Sequence, residues 1–346
     1  MPCYSAFVAM KKESITLEIA EMIAQGMKSL GYDIQHPHSK KIFLGHAKKK
    51  LKNLESGGTL LVNRDKNFRL KAAVIISQGS LVGQFKPDFE HWNFEFICRP
   101  GDKKALLWIE KQLAHLVPYL VHEIDGVIYP WQLSLMPKLK KYKIFPASFT
   151  LLGEVDLALA LLKKKYPKEE LSFSPASKIK VVTPSTRQEA DDYIEIIRSE
   201  FTRNPQFGSF VAHPSFIKFL RNEFYISLKK RRPNFFVFKR GEKVVGGVEY
   251  SIKKKTLGGR RHAGVGVNFE KSVQGMGYSK IAYRVVLEEL KRQKVHLFSG
   301  GTAQVGVMKL GRVMNRKVQG VLMQKLEKPF FKEGFLEGWI RKYDRR

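Results

Sequence analysis

Cysteine is nearly absent from this chain of 346 residues: Cys3 and Cys98 are the only two, so no disulfide framework holds the fold. No CxxC pair and no Cys/His cluster has zinc spacing. No apolar run approaches the ~18 residues of a membrane span. The first residues, MPCYSAFVAMKKESITLEIAEM, bring acid soon after a short apolar stretch, which does not read as a signal peptide. Acidic residues are scarce too, 32 against 62 lysines and arginines, giving a formal net charge of +30. No fold requires that excess, which points to anionic partners. Hydrophobic content of 43% is enough to bury a core and excludes a mainly disordered chain. The expectation is a cytoplasmic protein of about two domains.

Hydrophobic periodicity predicts helices over Ser14–Leu30, Ile42–Leu54, Lys103–Leu116, Leu151–Lys165, Thr186–Phe201, Phe216–Lys230, Tyr278–Arg292 and Thr302–Asn315. Strands are expected at Thr59–Val62, Ala72–Ser77, Trp92–Cys98, His122–Ile128, Asn234–Lys239, Lys243–Lys253, Arg261–Phe269, Val295–Ser299 and Val318–Lys325. Tyr166–Ser185 holds three prolines and several serines and reads as a linker with one short strand. Thr183 or Ser185 is expected to cap the helix that follows. These observations divide the chain into domains 1–172 and 173–346.

The stretch that carries chemistry is Ala263–Glu289, a strand, a glycine-punctuated turn and a helix. Gln274-Gly275-Met276-Gly277-Tyr278-Ser279 leads into the helix. Glycine admits conformations and close approach that a side chain would block, and a helix N-terminus offers unpaired N–H donors and partial positive charge, so the turn suits a diphosphate. It is neither a GxxxxGK[ST] P-loop nor a GxGxxG Rossmann fingerprint.

This Q-G-x-G-x-S turn between strand and helix resembles the acyl-CoA loop of the GCN5-related N-acetyltransferases, written [RQ]-x-x-G-x-[GA]. Gln274, Gly277 and Ser279 stand at the motif positions; Ser279 departs from Gly/Ala but is small. The hairpin KRGEKVVGGVEYSI precedes the loop as in that family, and the resemblance spans roughly Ile179–Glu327. It implies an α+β (mixed α/β) fold with a central, mostly antiparallel sheet and flanking helices. The Val295–Ser299 strand would splay from Val265–Phe269 to admit pantetheine.

The resemblance also implies the site. The backbone amides of Gly275, Met276, Gly277, Tyr278 and Ser279 would bind the diphosphate, and the strand edge at Val267, Asn268 and Phe269 would pair with the pantetheine. Lys271 and Lys280 would help neutralise the phosphates. Glu249 and His262 are both candidates for the base that deprotonates an acceptor amine. The family's Asn and Tyr positions on the following helix fall near Gln304 and Gly311, so the usual tyrosine acid is missing; Tyr250, Tyr283, water or no acid would replace it. Gly264 and Gly266 would leave room beside the acyl group or mark a bulge.

The N-terminal half repeats the plan. RPGDKKALLWIEKQL takes the place of QGMGYSKIAYRVVLEEL, with one glycine where the loop wants two and with Asp102 where a diphosphate would sit. This half reads as a second acetyltransferase-like domain that has lost its cofactor site, or as an unrelated α+β domain.

The expected activity is transfer of an acyl group from acetyl-CoA, or another acyl-CoA, to a primary amine by direct attack in a ternary complex. The alternatives are an aminoacyl-tRNA-dependent transferase of tandem acetyltransferase-like form and a non-catalytic CoA- or nucleotide-binding module. The charge adds an acidic acceptor, nucleic acid or the ribosome as expected partners. KKRRPNFFVFKR and the tail FFKEGFLEGWIRKYDRR mix basic and aromatic residues, as nucleic-acid binders do. Phe235, Phe236 and Phe238 read equally as strand core, and the tail as a docking helix.

Overall fold

The computed structural model describes residues 12–30, 32, 34–35, 37–54, 57–78, 91–167, 179–203, 214–253 and 259–331. The described chain forms two compact units, one containing the residues up to Ala147 and those from Gln319 on, the other those from Ser148 to Val318 apart from Gly259. The division therefore falls between Ala147 and Ser148, not at the expected 172/173.

In the first unit, helices α1 (Lys12–Ser29) and α2 (Pro37–Asn53) precede the hairpin β1 (Gly58–Arg64) and β2 (Leu70–Gln78). Strand β3 (His91–Cys98), helix α3 (Lys103–Gln112) and strand β4 (Glu123–Ile128) follow. β1, β2 and β3 pair antiparallel, and β4 joins β3 in parallel. α1 and α2 bury Ile15, Ile19, Phe43 and Leu51 against Ala73, Ile75 and Ile97, as amphipathic helices over one sheet face should.

The second unit repeats this order. Strand β5 (Ile144–Glu154) leads into helix α4 (Val155–Lys165). Then come strand β6 (Ile179–Val182), helices α5 (Arg187–Thr202) and α6 (Pro214–Leu228), and strands β7 (Phe235–Arg240), β8 (Lys243–Ile252) and β9 (His262–Phe269). Helix α7 (Tyr278–Arg292), strand β10 (Leu297–Thr302) and helix α8 (Val305–Val313) complete it, and strand β11 (Lys317–Lys325) returns to the first unit from Gln319 on. β6 to β9 pair antiparallel in sequence, and β10 joins β9 in parallel. α5 and α6 cover one face through Tyr193, Ile194, Ile197 and Phe224 on Phe235 and Val237. α4, α7 and α8 cover the other, where Leu159, Val286 and Leu310 meet Val248, Val265 and Phe298.

The closing strands are exchanged. β5, which follows the first unit in the chain, pairs antiparallel with β10, and β11, which follows the second, pairs antiparallel with β4. The expected helix Leu151–Lys165 is therefore strand as far as Glu154. A short apolar run does not distinguish the two by periodicity. The pairing with β10 decides it, and Gly153 allows the close packing: a Cβ there would lie 2.7 Å from the Phe298 ring and 2.9 Å from the Arg316 side chain. The cap of α5 is Thr186, not Thr183 or Ser185. Its hydroxyl accepts from the Glu189 amide at 3.2 Å while the Glu189 carboxylate accepts from the Thr186 amide at 3.2 Å, a reciprocal capping box.

Phe235 and Phe238 are buried and Phe236 is half-buried, so this aromatic cluster is core. Beyond Phe331 the tail expected as a docking helix lies outside the described residues, as does most of the Tyr166–Ser185 linker. No described helix is long and apolar enough to cross a membrane.

Candidate active site

Two parallel strands that separate create the site. β9 and β10 pair at only three positions, Leu297↔His262, Phe298↔Ala263 and Ser299↔Gly264, although β9 runs on to Phe269 and β10 to Thr302. A cleft of about 470 Å³ opens beside these strand ends, lined by Val267, Phe269, the turn from Val273 to Lys280 apart from Met276, Gln304, parts of α8, and Lys165 with Tyr166. In the first unit the corresponding strands β3 and β4 stay paired over five positions, from His91↔Glu123 to Glu95↔Val127.

The turn at the mouth of α7 has the geometry its glycines imply. Gly275 and Gly277 have φ of +82° and +86°, left-handed values that side chains disfavour, and nothing lies within 4 Å of a Cβ built on Gly275. Gly277 caps α7 with no side-chain bond, and the amides of Gly275 and Ser279 have no acceptor among the described residues. The Met276 amide points elsewhere, to the Val273 carbonyl at 3.4 Å, so the expected cradle of five amides is reduced by one. The side chain of Gln274 donates to the Phe269 carbonyl at 2.9 Å, tying the turn to the end of β9. The Lys280 ammonium sits 4.2 Å from the centre of the Tyr166 ring and 3.7 Å from where a Gly277 Cβ would be. Lys271 lines a different groove with Asp192 and Glu195.

The equivalent turn of the first unit is self-satisfied. Gly101 has φ +82°, but Asp102 caps α3 by accepting from the Ala105 amide at 2.9 Å. A carboxylate already occupies the anion position.

Glu249 lies on the α5 face of β8, opposite Gly266 of β9. Its carboxylate lies over that glycine: a Cβ on Gly266 would come within 1.8 Å of Glu249 Oε1. Gly266 thus makes room for the carboxylate rather than for an acyl group. The buried Tyr193 hydroxyl donates to Glu249 Oε2, and the Asn268 side chain donates to Oε1 at 3.5 Å. Burial pushes the Glu249 carboxyl up to about 7, against these two hydrogen bonds and one from its own backbone, which hold it down. In the first unit Glu95 occupies the fifth position of β3, as Gly266 does in β9. Burial also pushes Glu95 up, but Lys50 at 3.0 Å and His46 at 3.4 Å together bring it down to about 2. One unit holds a neutralised carboxylate, the other a carboxylate with only uncharged donors and a pKa suited to proton exchange near neutrality.

His262 stands apart. It is at the closed end of the β9–β10 ladder, buried, with Nε2 2.9 Å from the Ser299 hydroxyl. Gly266 lies four steps further along the strand, about 13 Å away. Burial, then the Lys253 charge, push its pKa down to about 4, so the ring is neutral. Neither tyrosine suggested as an acid reaches the cleft. The Tyr250 hydroxyl is bonded to Glu289 and Gln293 beneath α7, and the Tyr283 hydroxyl accepts from buried Arg316 at 3.1 Å. Gln304 does line the cleft, as the N-cap residue of α8, and its side chain donates to Glu200 at 3.2 Å.

Two contributors escape the sequence. Tyr193 belongs to the inward stripe of α5 with Ala190, Ile194 and Ile197, where periodicity marks it as core. Lys165 and Tyr166 fall at a linker edge, where nothing in the sequence ties them to the loop 110 residues later. Among the described residues there is no cluster of three or more His, Cys, Asp or Glu that could hold a metal.

Residues 192–311 match the model of the Acetyltransferase (GNAT) family. Among solved structures, a GCN5-related N-acetyltransferase from Sphaerobacter thermophilus is 14% identical with a TM-score of 0.52, covering 89% of this chain and 91% of its own. A tandem GNAT protein from the clavulanic acid biosynthesis pathway is 11% identical with a TM-score of 0.40, covering 77% and 82%. A GCN5-related N-acetyltransferase from Kribbella flavida is 11% identical, also at 0.40, covering 80% and 92%. A search of curated proteins finds no match.

Proposed function

We propose, from the premise that residues 192–311 are a domain of the Acetyltransferase (GNAT) family within a tandem fold, that this protein moves an acyl group from acyl-CoA to an amine at the second unit. The observation that carries the reading is the conjunction of the opened β9–β10 ladder with an uncapped, doubly glycine-bent turn at the start of α7. The residues fit the carrier. Gly275, Gly277 and Ser279 offer amides to a diphosphate at a helix N-terminus, Lys280 adds charge, and Val267 and Phe269 supply a strand edge and apolar wall. Acyl-CoA supplies an activated carbonyl with a thiolate leaving group. Acetyl-CoA is the simplest form, and acceptance of a longer acyl chain is a matter of cleft depth.

Glu249 is the base. A primary amine is a nucleophile only when unprotonated, and a carboxylate with a pKa of about 7 takes its proton, directly or through one water, near neutral pH. Tyr193 and Asn268 hold that carboxylate in place. With Tyr250 and Tyr283 committed elsewhere, water is the acid for the departing thiolate. Direct attack is favoured over a covalent enzyme because both cysteines precede the second unit in the sequence and Cys98 is buried. The first unit, with paired strands and a self-capped turn, shapes or recruits substrate rather than binding acyl-CoA. The acceptor is an amine on an acidic molecule, since a net charge of +30 exceeds what one cofactor neutralises.

Thiol release from acetyl-CoA, followed across a panel of amines with the intact protein, tests the reading. The expected result is amine-dependent release that falls by 10²-fold or more in Glu249→Gln, on the order of a lost general base. Acyl-CoA binding with no release for any amine would favour a binding module. Binding of aminoacyl-tRNA with none of acyl-CoA would favour the tRNA-dependent alternative.

A further inference from the structure

A second groove, of about 840 Å³, adjoins the cleft and shares Lys165, Lys309 and Val313 with it. Its walls are α4 and α8. Lys164, Lys165, Lys309 and Arg312 line it, and neither it nor the cleft has an aspartate or glutamate among its lining residues. The neighbouring cations are neutralised: Lys163 pairs with Glu288 at 2.9 Å and Lys291 with Asp156 at 2.9 Å. Lys164, Lys165 and Lys309 have no such carboxylate among the described residues, and all three are exposed. Like charges gathered on facing helices repel, an arrangement that an anionic ligand relieves. Two of the three lysines lie on α4, ahead of residues 192–311.

We propose that this groove receives the ribose phosphate of the acyl carrier, so that Lys164, Lys165 and Lys309 make the protein selective for coenzyme A over dephospho-coenzyme A. The inference rests on the acyl-CoA reading above and extends it to a specificity determinant. A phosphate monoester carries about −1.5 to −2 charges at pH 7 and three acceptor oxygens, which three ammonium groups match. The continuity of groove and cleft leads from the α7 turn, where the diphosphate binds, to these lysines.

Titration calorimetry of the full chain with CoA, dephospho-CoA and 3′,5′-ADP tests it. The expected result is CoA binding about tenfold tighter than dephospho-CoA, a gap of about 1.4 kcal/mol, that narrows as salt rises. In the Lys164→Gln/Lys165→Gln double variant the ratio of the two affinities falls to about one, and 3′,5′-ADP binding weakens in step. Lys309→Gln narrows the ratio in the same direction. Equal affinity for CoA and dephospho-CoA in the unaltered protein, or a double variant that keeps the ratio, overturns the proposal while leaving acyl-CoA binding intact. Failure of both CoA forms to bind overturns the proposal together with the reading beneath it.

Discussion

The two units contain their own control experiment at one residue. Asp102 caps α3 in the first, and Gly277 stands uncapped at the start of α7 in the second. Gly277→Asp puts a carboxylate where the first unit has one, although the two backbones differ there: Asp102 has φ −78° and Gly277 φ +86°. For the fold the cost is the left-handed φ, about 1–2 kcal/mol and less for aspartate than for most, with no capping gain to set against it while that φ is kept. No atom lies nearer than 3.7 Å to the added Cβ, so no clash contributes. A loss of about 1–2 kcal/mol lowers Tm by about 2–8 °C in a domain of this size. For the ligand the effect is larger. A carboxylate about 4 Å from a diphosphate charge costs about 4 kcal/mol at an effective dielectric of 20. Affinity for acetyl-CoA should fall by 10²–10³-fold. Calorimetry and a thermal melt on one preparation read both quantities. A folded Gly277→Asp protein that binds acetyl-CoA as well as the parent would refute the reasoning.

Three further outcomes follow from the geometry. Tyr193→Phe removes a hydrogen bond that holds the Glu249 carboxyl down, so the rise of kcat/KM with pH, centred near 7, should move up by about one pH unit, while Tyr193→Ala also loses packing and melts earlier. His262 is neutral and buried with a pKa lowered to about 4, whereas the unfolded chain protonates near 6.5; the unfolded state therefore binds more protons, and stability falls as pH drops from 6.5 toward 4. His262→Gln should remove acid sensitivity on the order of 3 kcal/mol, read by denaturant melts at pH 7 and 4.5, and leave amine acylation at neutral pH within about threefold. A chain beginning at residue 173 lacks β5, which pairs with β10, and α4, which buries Leu159 and Leu162 with α7; it should yield aggregated or molten material by gel filtration and near-UV dichroism, whereas the intact chain does not.

Local chemistry was legible in the sequence where one residue type satisfies one backbone demand. Gly275 and Gly277 announced the left-handed turn, and Asp102 announced the occupied one. The element order of each half could be read from periodicity, because each helix has one apolar stripe over a sheet. What could not be read depends on partners distant in the chain. The strand character of Phe149–Glu154 is fixed by pairing with Leu297–Thr302, about 150 residues later, and the exchange of β5 and β11 leaves no periodic trace. Glu249 was one of two equal candidates for the base because alternation does not say which sheet face borders the opening. Tyr193 and Gly266 favour the proposed role of Glu249 through contacts, since one donates to the carboxylate and the other clears space for it. Tyr193 itself reads as core because it is core, and its hydroxyl acts from within it.

The measurement closest to the central claim is a crystal structure of the intact protein grown with a non-hydrolysable acetyl-CoA analogue. The account predicts the diphosphate on the amides of Gly275, Gly277 and Ser279, the pantetheine arm between the separated ends of β9 and β10, the thioester within one water of Glu249, and no second molecule at Asp102. An analogue seated at the first unit's turn, or phosphates held away from the start of α7, would contradict it.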